Sequence, residues 1–498
     1  MTLFTREPQH RQWIGLITLI GLALRLYGLS AESYWLDEIV AAMRVHESLR
    51  NLFFGWDSET QGPLYYLLIK GWGLVFGTHE WTLRLWSVIF GTLTIPFIYL
   101  LGRQLFSGTA ALLAALFISI HPFAIHYSQE ARPYALFLLL SLLSYHYLLL
   151  LMRQHRWPLA WTYILVTAAA FYTHAFGMFL VLSHLVIFRL FRRESRFRGA
   201  LRSSRPYYLS FALLFVSCLP ELAQNALAAL KKMSGPSTAG WIPEPHLTWL
   251  FKLPAEYFMD TRLGAIVLLV TSLLAIVRLL SEPQLRAGFK WLAIVGTCMW
   301  LVPWIVSVTL TPVFVMRYMA PGLLVVVFLM ATAAASLQQW PRRLFVTFLV
   351  VLTAFPLWNY FTKVDKDPWR QTSEYLAERV KPGDVIISNP RFVRPSLAFY
   401  LPDELKPQYI RPSSVADLEA ALATATRVWE ISSYSTQDSA SLAMMNTVKS
   451  WGTELRRVKM NEMLKMNPNR FWSAPIEIAL KENKHPEMGP EPLSETEL

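Results

Sequence analysis

Charge is scarce in this chain. Only 16% of its 498 residues are Asp, Glu, Lys or Arg, whereas 54% are hydrophobic, and the mean hydropathy is +0.34. A soluble globular domain carries about 25% charged residues, so a soluble fold is excluded for most of the length. Cysteine is nearly absent. The two present, Cys218 and Cys298, both lie in apolar runs. That excludes a disulfide framework or a cysteine zinc site and leaves two small buried hydrophobes. Acidic residues are outnumbered 34 to 46, for a net charge of +12. A basic balance can signal nucleic acid. Here, however, Lys and Arg gather in short loops between apolar runs, which is the pattern of membrane topology, and no nucleic-acid partner is expected. A cleavable leader is not evident either. The first apolar run, 12–29, leads into acidic sequence without a small-residue cleavage site, so it reads as an uncleaved first helix.

What the chain has instead is long apolar runs. A membrane helix needs about 20 mostly apolar residues. Runs near 12–29, 84–102, 108–127, 134–152, 158–174, 175–190, 207–224, 263–280, 291–310, 317–337 and 343–361 qualify, which makes about eleven crossings. A further run, 63–77, is short and carries Lys70 near its centre. Basic loops decide its status. If 63–77 does not span, the basic residues at 6–11, 103, 153–156, 189–205, 278–290 and 342–343 share one side, the cytoplasmic one. If it spans, the densest basic loop, RLFRRESRFR at 189–198, moves outside. The first arrangement wins, and 63–77 becomes an interfacial or re-entrant helix. The N-terminus is then cytoplasmic. The loop 30–83, the turn from Tyr127 to Pro133, a Pro-rich loop at 225–262 and everything after 361 then lie outside.

The composition changes after residue 361. Residues 369–380 read as an amphipathic helix. The segments 384–388, 427–432 and 475–480 read as strands, with helices over 414–423 and 437–450 between them. The expected fold is therefore a polytopic α-helical membrane domain over 1–361 and a small extracytoplasmic α/β domain over 362–480. The tail 481–498 is charged and Pro-rich and reads as disordered.

Four segments carry the residue types that chemistry requires. YWLDEI at 34–39 puts Asp37 and Glu38 just beyond the first helix. A carboxylate there suits a general base, although an Asp-Glu pair in a loop is by itself an ordinary solvated feature. QGPLYYLLIKGWGLVFGTHEWTLRLWS at 61–87 opens on a Gly-Pro breaker and ends with Arg84 entering the next span. An arginine there either snorkels or pairs bidentately with a phosphate. His79 and Glu80 are two residues and do not make a metal site. HYSQEARPYA at 126–135 places Glu130 and Arg132 in a turn closed by Pro133, and ionisable groups between membrane helices are costly enough to be functional by default. TPVFVMRYMAP at 311–321 adds Arg317 and Tyr318 between two prolines. His121, His126 and His174 sit at span ends and read as interfacial residues rather than ligands. Together, carboxylates and cations beside apolar spans suit a substrate with an anionic head and a lipid tail.

In order and context these segments resemble the polytopic glycosyltransferases of the GT-C type, in the group of protein O-mannosyltransferases and lipid A aminoarabinose transferases. The resemblance covers roughly residues 10–360 and is carried by the WLDE loop, the PLYYLL segment, the EWxLRL helix entry, the YSQEARPYA turn and the late Arg317-Tyr318. It implies a polyprenyl-phosphate-linked sugar donor, membrane lipids as surroundings, and a glycan, lipid or protein acceptor. Transfer would take place at the extracytoplasmic face of a bacterial inner membrane. It implies that Asp37 is the catalytic base with Glu38 as companion, and that Arg84, Arg132 and Arg317 meet the donor phosphate. Glu130, Tyr127, Tyr318 and Lys70 would line the cavity. A divalent cation on Asp37 and Glu130 is compatible with it, though nothing in the sequence requires one. Two features depart from the family: Gln61-Gly62-Pro63 stands where many members read His-Pro-Pro, and Trp86-Ser87 follows LRL in place of Pro-Ser. The competing reading is a lipid or anionic-solute transporter, whose marks are repeats and ionisable residues at the bilayer midplane. The sequence shows no repeat, and its ionisable residues collect at one face.

Overall fold

The computed structural model describes residues 8–54, 61–154, 156–192, 194, 205–234, 242–259, 261–282, 285–362, 366–433, 439–463 and 476–483. The chain forms two compact units. One comprises Met1–Leu29 and Arg44–Trp358, and the other Ser30–Met43 and Asn359–Leu498.

The first unit is helical. It contains α1 (Pro8–Leu26) and, after α2 (Leu36–Arg44), which belongs almost wholly to the second unit, α3 (Leu49–Phe54) and α4 (Pro63–Phe76). Then come α5 (Glu80–Leu105), α6 (Gly108–Ile120), α7 (Pro122–Ser128), α8 (Tyr134–Arg153), α9 (Trp157–Thr173) and α10 (Gly177–Phe191). Helices Arg205–Ser234, Trp249–Glu256, Thr261–Ser281, Arg286–Gly296, Val302–Thr309, Leu323–Ala335 and Gln339–Thr362 follow. Each of the eleven expected runs is thus helical. Among the described residues, six helices are long and apolar enough to cross a membrane, or seven if the bent pair α6–α7 is one span. The other expected crossings are α1, with a polar first turn and Arg25, α9 and α10, with only 17 and 15 residues, and Thr261–Ser281. At 14 residues α4 is about 21 Å long, short of a bilayer core of about 30 Å. The expected loop at 225–262 is in part helix. Arg205–Ser234 continues past residue 224, where Glu221, Leu222, Ala223 and Gln224 favour helix, and Trp249–Glu256 is a separate helix.

The bend of 55° between α6 and α7 has a local cause. Pro122 has no N–H to give the Ile118 carbonyl, so the helix cannot continue. Arg25 supplies the missing donors. Its Nη2 donates to Ile118 O at 3.1 Å and its Nη1 to Ser119 O at 2.9 Å. Nη1 also reaches Gly21 O at 2.9 Å, and Nε donates to Ser128 Oγ at 3.1 Å. The buried guanidinium is held by four acceptors and ties α1 to both halves of the break. Gln129 Nε2 then donates to the carbonyls of Arg25 and Tyr27 at 2.9 and 2.7 Å, which fixes the turn leading to α8. Gly91 makes room for this junction, since a Cβ there would stand 1.9 Å from Ser128 Oγ.

The second unit holds a four-stranded sheet of order β1-β2-β4-β3. β1 (Val385–Asn389) and β2 (Arg427–Ser433) are parallel, with Ile387 opposite Glu430. β4 (Ile476–Asn483) runs antiparallel to β2 and to β3 (Gly452–Lys459). Helices Val415–Ala423 and Ser439–Trp451 cover one face through Leu418, Leu422, Met444 and Val448, packed on Ile387 and Val428. The expected strands and helices are present. β4, however, continues to Asn483, where the tail was expected to begin, and 484–498 lie outside the described residues.

Asp384 anchors the start of β1. Its carboxylate accepts from Arg427 Nε and Nη2 at 2.8 and 2.5 Å, from Trp429 Nε1 at 2.9 Å and from Lys381 N at 2.8 Å. Burial alone would raise its pKa, but the Arg427 hydrogen bond and the other donors outweigh burial and hold it below the usual range. A carboxylate depressed in the folded state stabilises fully above its unfolded pKa of about 4, and that contribution is lost as pH falls through the folded value. Thermal unfolding of the native protein should therefore lose stability below about pH 4, and Asp384→Asn should flatten that acid limb. An unchanged limb would remove Asp384 as its source.

Candidate active site

Among the described residues of the first unit, four arginines are almost completely withdrawn from solvent: Arg25, which holds the α6–α7 break, and three others. Arg84, Arg132 and Arg317 are 2%, 3% and 5% exposed. Arg84 lies in the second turn of α5 and donates Nη1 to Leu29 O at 2.9 Å. One turn on, Ser87 Oγ donates to Arg132 O at 3.4 Å, which links α5 to the 129–133 turn. Arg132 Nη1 reaches the Tyr66 hydroxyl at 3.4 Å, and that hydroxyl donates to Gln61 Oε1 at 2.6 Å. Arg44 covers the Tyr66 ring at 4.2 Å. Gln61 pairs in a short antiparallel bridge with His174.

His174 sits in the middle of this cluster. Its ring lies 5.0 Å from Tyr318 and 5.2 Å from Phe137, and Nδ1 accepts from Phe176 N at 3.2 Å. The charges of both Arg132 and Arg317 act on it. Tyr318 stacks on Tyr134 at 6.4 Å, and Arg317 lies 5.6 Å from the Tyr318 ring. Tyr134 meets Tyr127 edge-on at 5.1 Å. On the other side of Tyr127, Glu130 Oε1 pairs with His126 Nε2 at 3.1 Å. The result is a band of aromatic rings with cations set into it and one carboxylate at its margin. Gly62 permits the band to close, because a Cβ there would stand 2.1 Å from the Tyr172 carbonyl.

In the second unit, Asp37 and Glu38 begin α2. Glu38 is completely buried, and its Oε2 meets Lys366 Nζ at 3.2 Å and accepts from Trp35 N at 3.4 Å. The segment before α2 is stitched down alongside. Ser33 Oγ donates to Asp367 O at 2.6 Å, and Tyr34 N donates to the Tyr400 hydroxyl at 2.7 Å. Asp37 is half-buried, one residue away from this anchor.

Residues 60–223 match the model of the dolichyl-phosphate-mannose-protein mannosyltransferase family, about a third of the chain. No curated protein matches the chain by sequence. By structure, ArnT from Cupriavidus metallidurans bound to undecaprenyl phosphate is similar over 94% of this chain and 98% of its own, with a TM-score of 0.55 at 14% identity. AglB, an oligosaccharyltransferase from Archaeoglobus fulgidus in complex with an inhibitory peptide and a dolichol-phosphate, is similar over 95% of this chain and 74% of its own, with a TM-score of 0.54 at 11% identity. The chain has the GT-C fold. It is a multi-pass membrane protein with a small C-terminal sheet.

Within this GT-C chain, the cluster in the first unit unites Arg132, Arg317, Tyr127, Tyr318 and Glu130, with Arg84 joined through α5. Lys70, expected to line the cavity, lies on α4. Its ammonium donates to Val45 O and Glu47 O at 2.8 and 2.9 Å, so it clamps the chain after α2. Glu38, expected as the companion of Asp37, is buried with its Oε2 on Lys366 Nζ. Asp37 and Glu130 belong to different units, and among the described residues no group of three His, Cys, Asp or Glu side chains could hold a metal. Reading the sequence missed Arg44, Gln61, Tyr66 and His174. For Gln61 a signal existed: it is the position where this chain departs from the family pattern.

Proposed function

We propose that this protein transfers a sugar from a polyprenyl-phosphate-linked donor to a hydroxyl acceptor, with inversion, at the extracytoplasmic face of a bacterial inner membrane. The observation that carries the reading is the aromatic band that holds Arg132 and Arg317, with the buried Arg84 linked to it through α5. A guanidinium matches a phosphate in shape and charge. The GT-C fold, shared with proteins captured with undecaprenyl phosphate and dolichol-phosphate, supports the same donor class.

In the proposed step Asp37 takes the proton of the acceptor hydroxyl, whose oxygen forms a bond to the anomeric carbon as the bond from that carbon to the phosphate oxygen breaks. The electron pair leaves on the polyprenyl phosphate, where Arg84, Arg132 and Arg317 meet the developing charge. Lipid, polysaccharide and protein hydroxyls all fit this step as acceptors. Arg84→Ala should raise the donor KM about ten- to hundredfold, because a hydrogen bond to a charged group contributes about 1.5–3 kcal/mol. Lys70→Ala should leave donor KM unchanged, its ammonium being engaged by backbone carbonyls. Donor titrations in membranes carrying each variant make the comparison, and equal KM values for the two would remove the phosphate role of Arg84.

A further inference from the structure

The second unit carries a group of arginines that the transfer step does not use. Its parallel strands β1 and β2 end at Asn389 and Ser433. A third segment runs parallel to β1 on its outer edge, where Tyr409 bridges Ile386 and Ile410 N donates to Ile386 O at 3.0 Å. Arg411 follows at the end of that segment, and Arg391 and Arg394 follow β1. Three chain segments of one direction therefore bring their carboxyl ends to the same edge of the sheet. In open sheets with parallel strands this edge is where ligands are held.

The side chains there are cationic and close to one another. The charged and titratable groups that act on Arg394 are Tyr409, Arg391 and Arg411. No carboxylate among the described residues forms an ion pair with any of the three arginines. The nearby Asp417 is occupied as the acceptor for Ser413 and Ser414 at the start of Val415–Ala423. Arg394 Nη1 donates to Pro412 O at 2.8 Å and Arg391 Nη2 to Ser413 O, so both side chains are held in place by backbone. Their Nε atoms are shielded from solvent and have no acceptor. The hydroxyl of Ser433, at the end of β2, is likewise buried without a partner. Arg391 N donates to Ser441 Oγ at 3.5 Å, which brings in the first turn of Ser439–Trp451. Burial, and then the like charges of Arg391 and Arg411, push the Arg394 pKa down from its ordinary value, with Tyr409 acting in the opposite sense. An anion would relieve that repulsion.

We propose that Arg391, Arg394 and Arg411 form a binding site for a phosphoryl group at the carboxyl ends of the parallel strands. Pre-positioned guanidinium forks and a hydroxyl suit a tetrahedral, multiply charged anion better than a single carboxylate. The site stands on the second unit alone and does not depend on the transferase reading. Its phosphoryl group could belong to a lipid headgroup or to free phosphate, and the experiment separates the two. The full-length protein in phosphate-free detergent solution is titrated calorimetrically with inorganic phosphate and, separately, with short-chain phosphatidic acid. Saturable binding is expected in at least one arm, weakened about tenfold by Arg391→Gln and by Arg411→Gln. Arg411 is exposed, so its variant tests the charge without endangering the fold. Saturation by phosphate assigns a free-anion site, and saturation by phosphatidic acid alone assigns a headgroup site. Absence of saturation in both arms, or Arg411→Gln and Arg391→Gln binding as tightly as the native protein, overturns the proposal.

Discussion

Asp37→Asn is expected to lower the rate of sugar transfer by about 10²–10⁴-fold, the usual contribution of a positioned general base, while leaving thermal stability unchanged. Two neighbouring carboxylates compete for the role, and the structure separates them. Successive residues of a helix point about 100° apart, so α2 sends Glu38 and Asp37 in different directions. Glu38 is wholly buried on Lys366, whereas Asp37 is only half-buried at the start of the helix. Asparagine keeps the volume and the hydrogen-bonding reach of Asp37 but cannot take a proton. A thousandfold loss corresponds to about 4 kcal/mol of transition-state stabilisation. The measurement is the initial rate with a polyprenyl-phosphate sugar in membranes, beside a melting curve of the purified protein. A variant that melts normally and transfers at the native rate would show that Asp37 is not the base.

Most of the helical architecture was legible in the sequence because each membrane helix declares itself through its own apolar run. α5, α8 and Met316–Ala335 are such cases. The sheet was legible where strands are buried, as in β1 and β2, and illegible in β3. Among the described residues that strand pairs only with β4, and it is largely exposed, so Gly452–Lys459 reads as polar coil. What local pattern cannot report is a partner far along the chain. Nothing in the first apolar run points to the acceptors of Arg25 at Ile118 and Ser119, which lie 93 and 94 residues away. His174 looked like an isolated residue at the end of a helix until the fold placed it between Gln61 and Tyr318. The segment 30–43 read as part of the membrane domain because it follows the first span. It packs instead with the C-terminal unit, through contacts such as that of Ser33 with Asp367, 334 residues apart.

That association gives the second large effect. Lys366→Met should destabilise the second unit by about 3–5 kcal/mol, because it leaves the Glu38 carboxylate buried without its ion-pair partner. Transfer activity should fall with it, since α2 also carries Asp37. The double variant Glu38→Gln/Lys366→Met decides what Glu38 is for. Replacing both members of a buried pair by uncharged side chains of similar size is commonly neutral or stabilising, so the double variant should melt close to the native protein. If Glu38 serves to hold α2, transfer returns along with stability, to within about tenfold of native, well short of the loss that removing a general base produces. If Glu38 handles a proton itself, the double variant is stable and inactive. The geometry favours the first outcome: Glu38 is 0% exposed, with Oε2 committed to Lys366 and to Trp35 N. Asp37, by contrast, stands one residue away with part of its surface open.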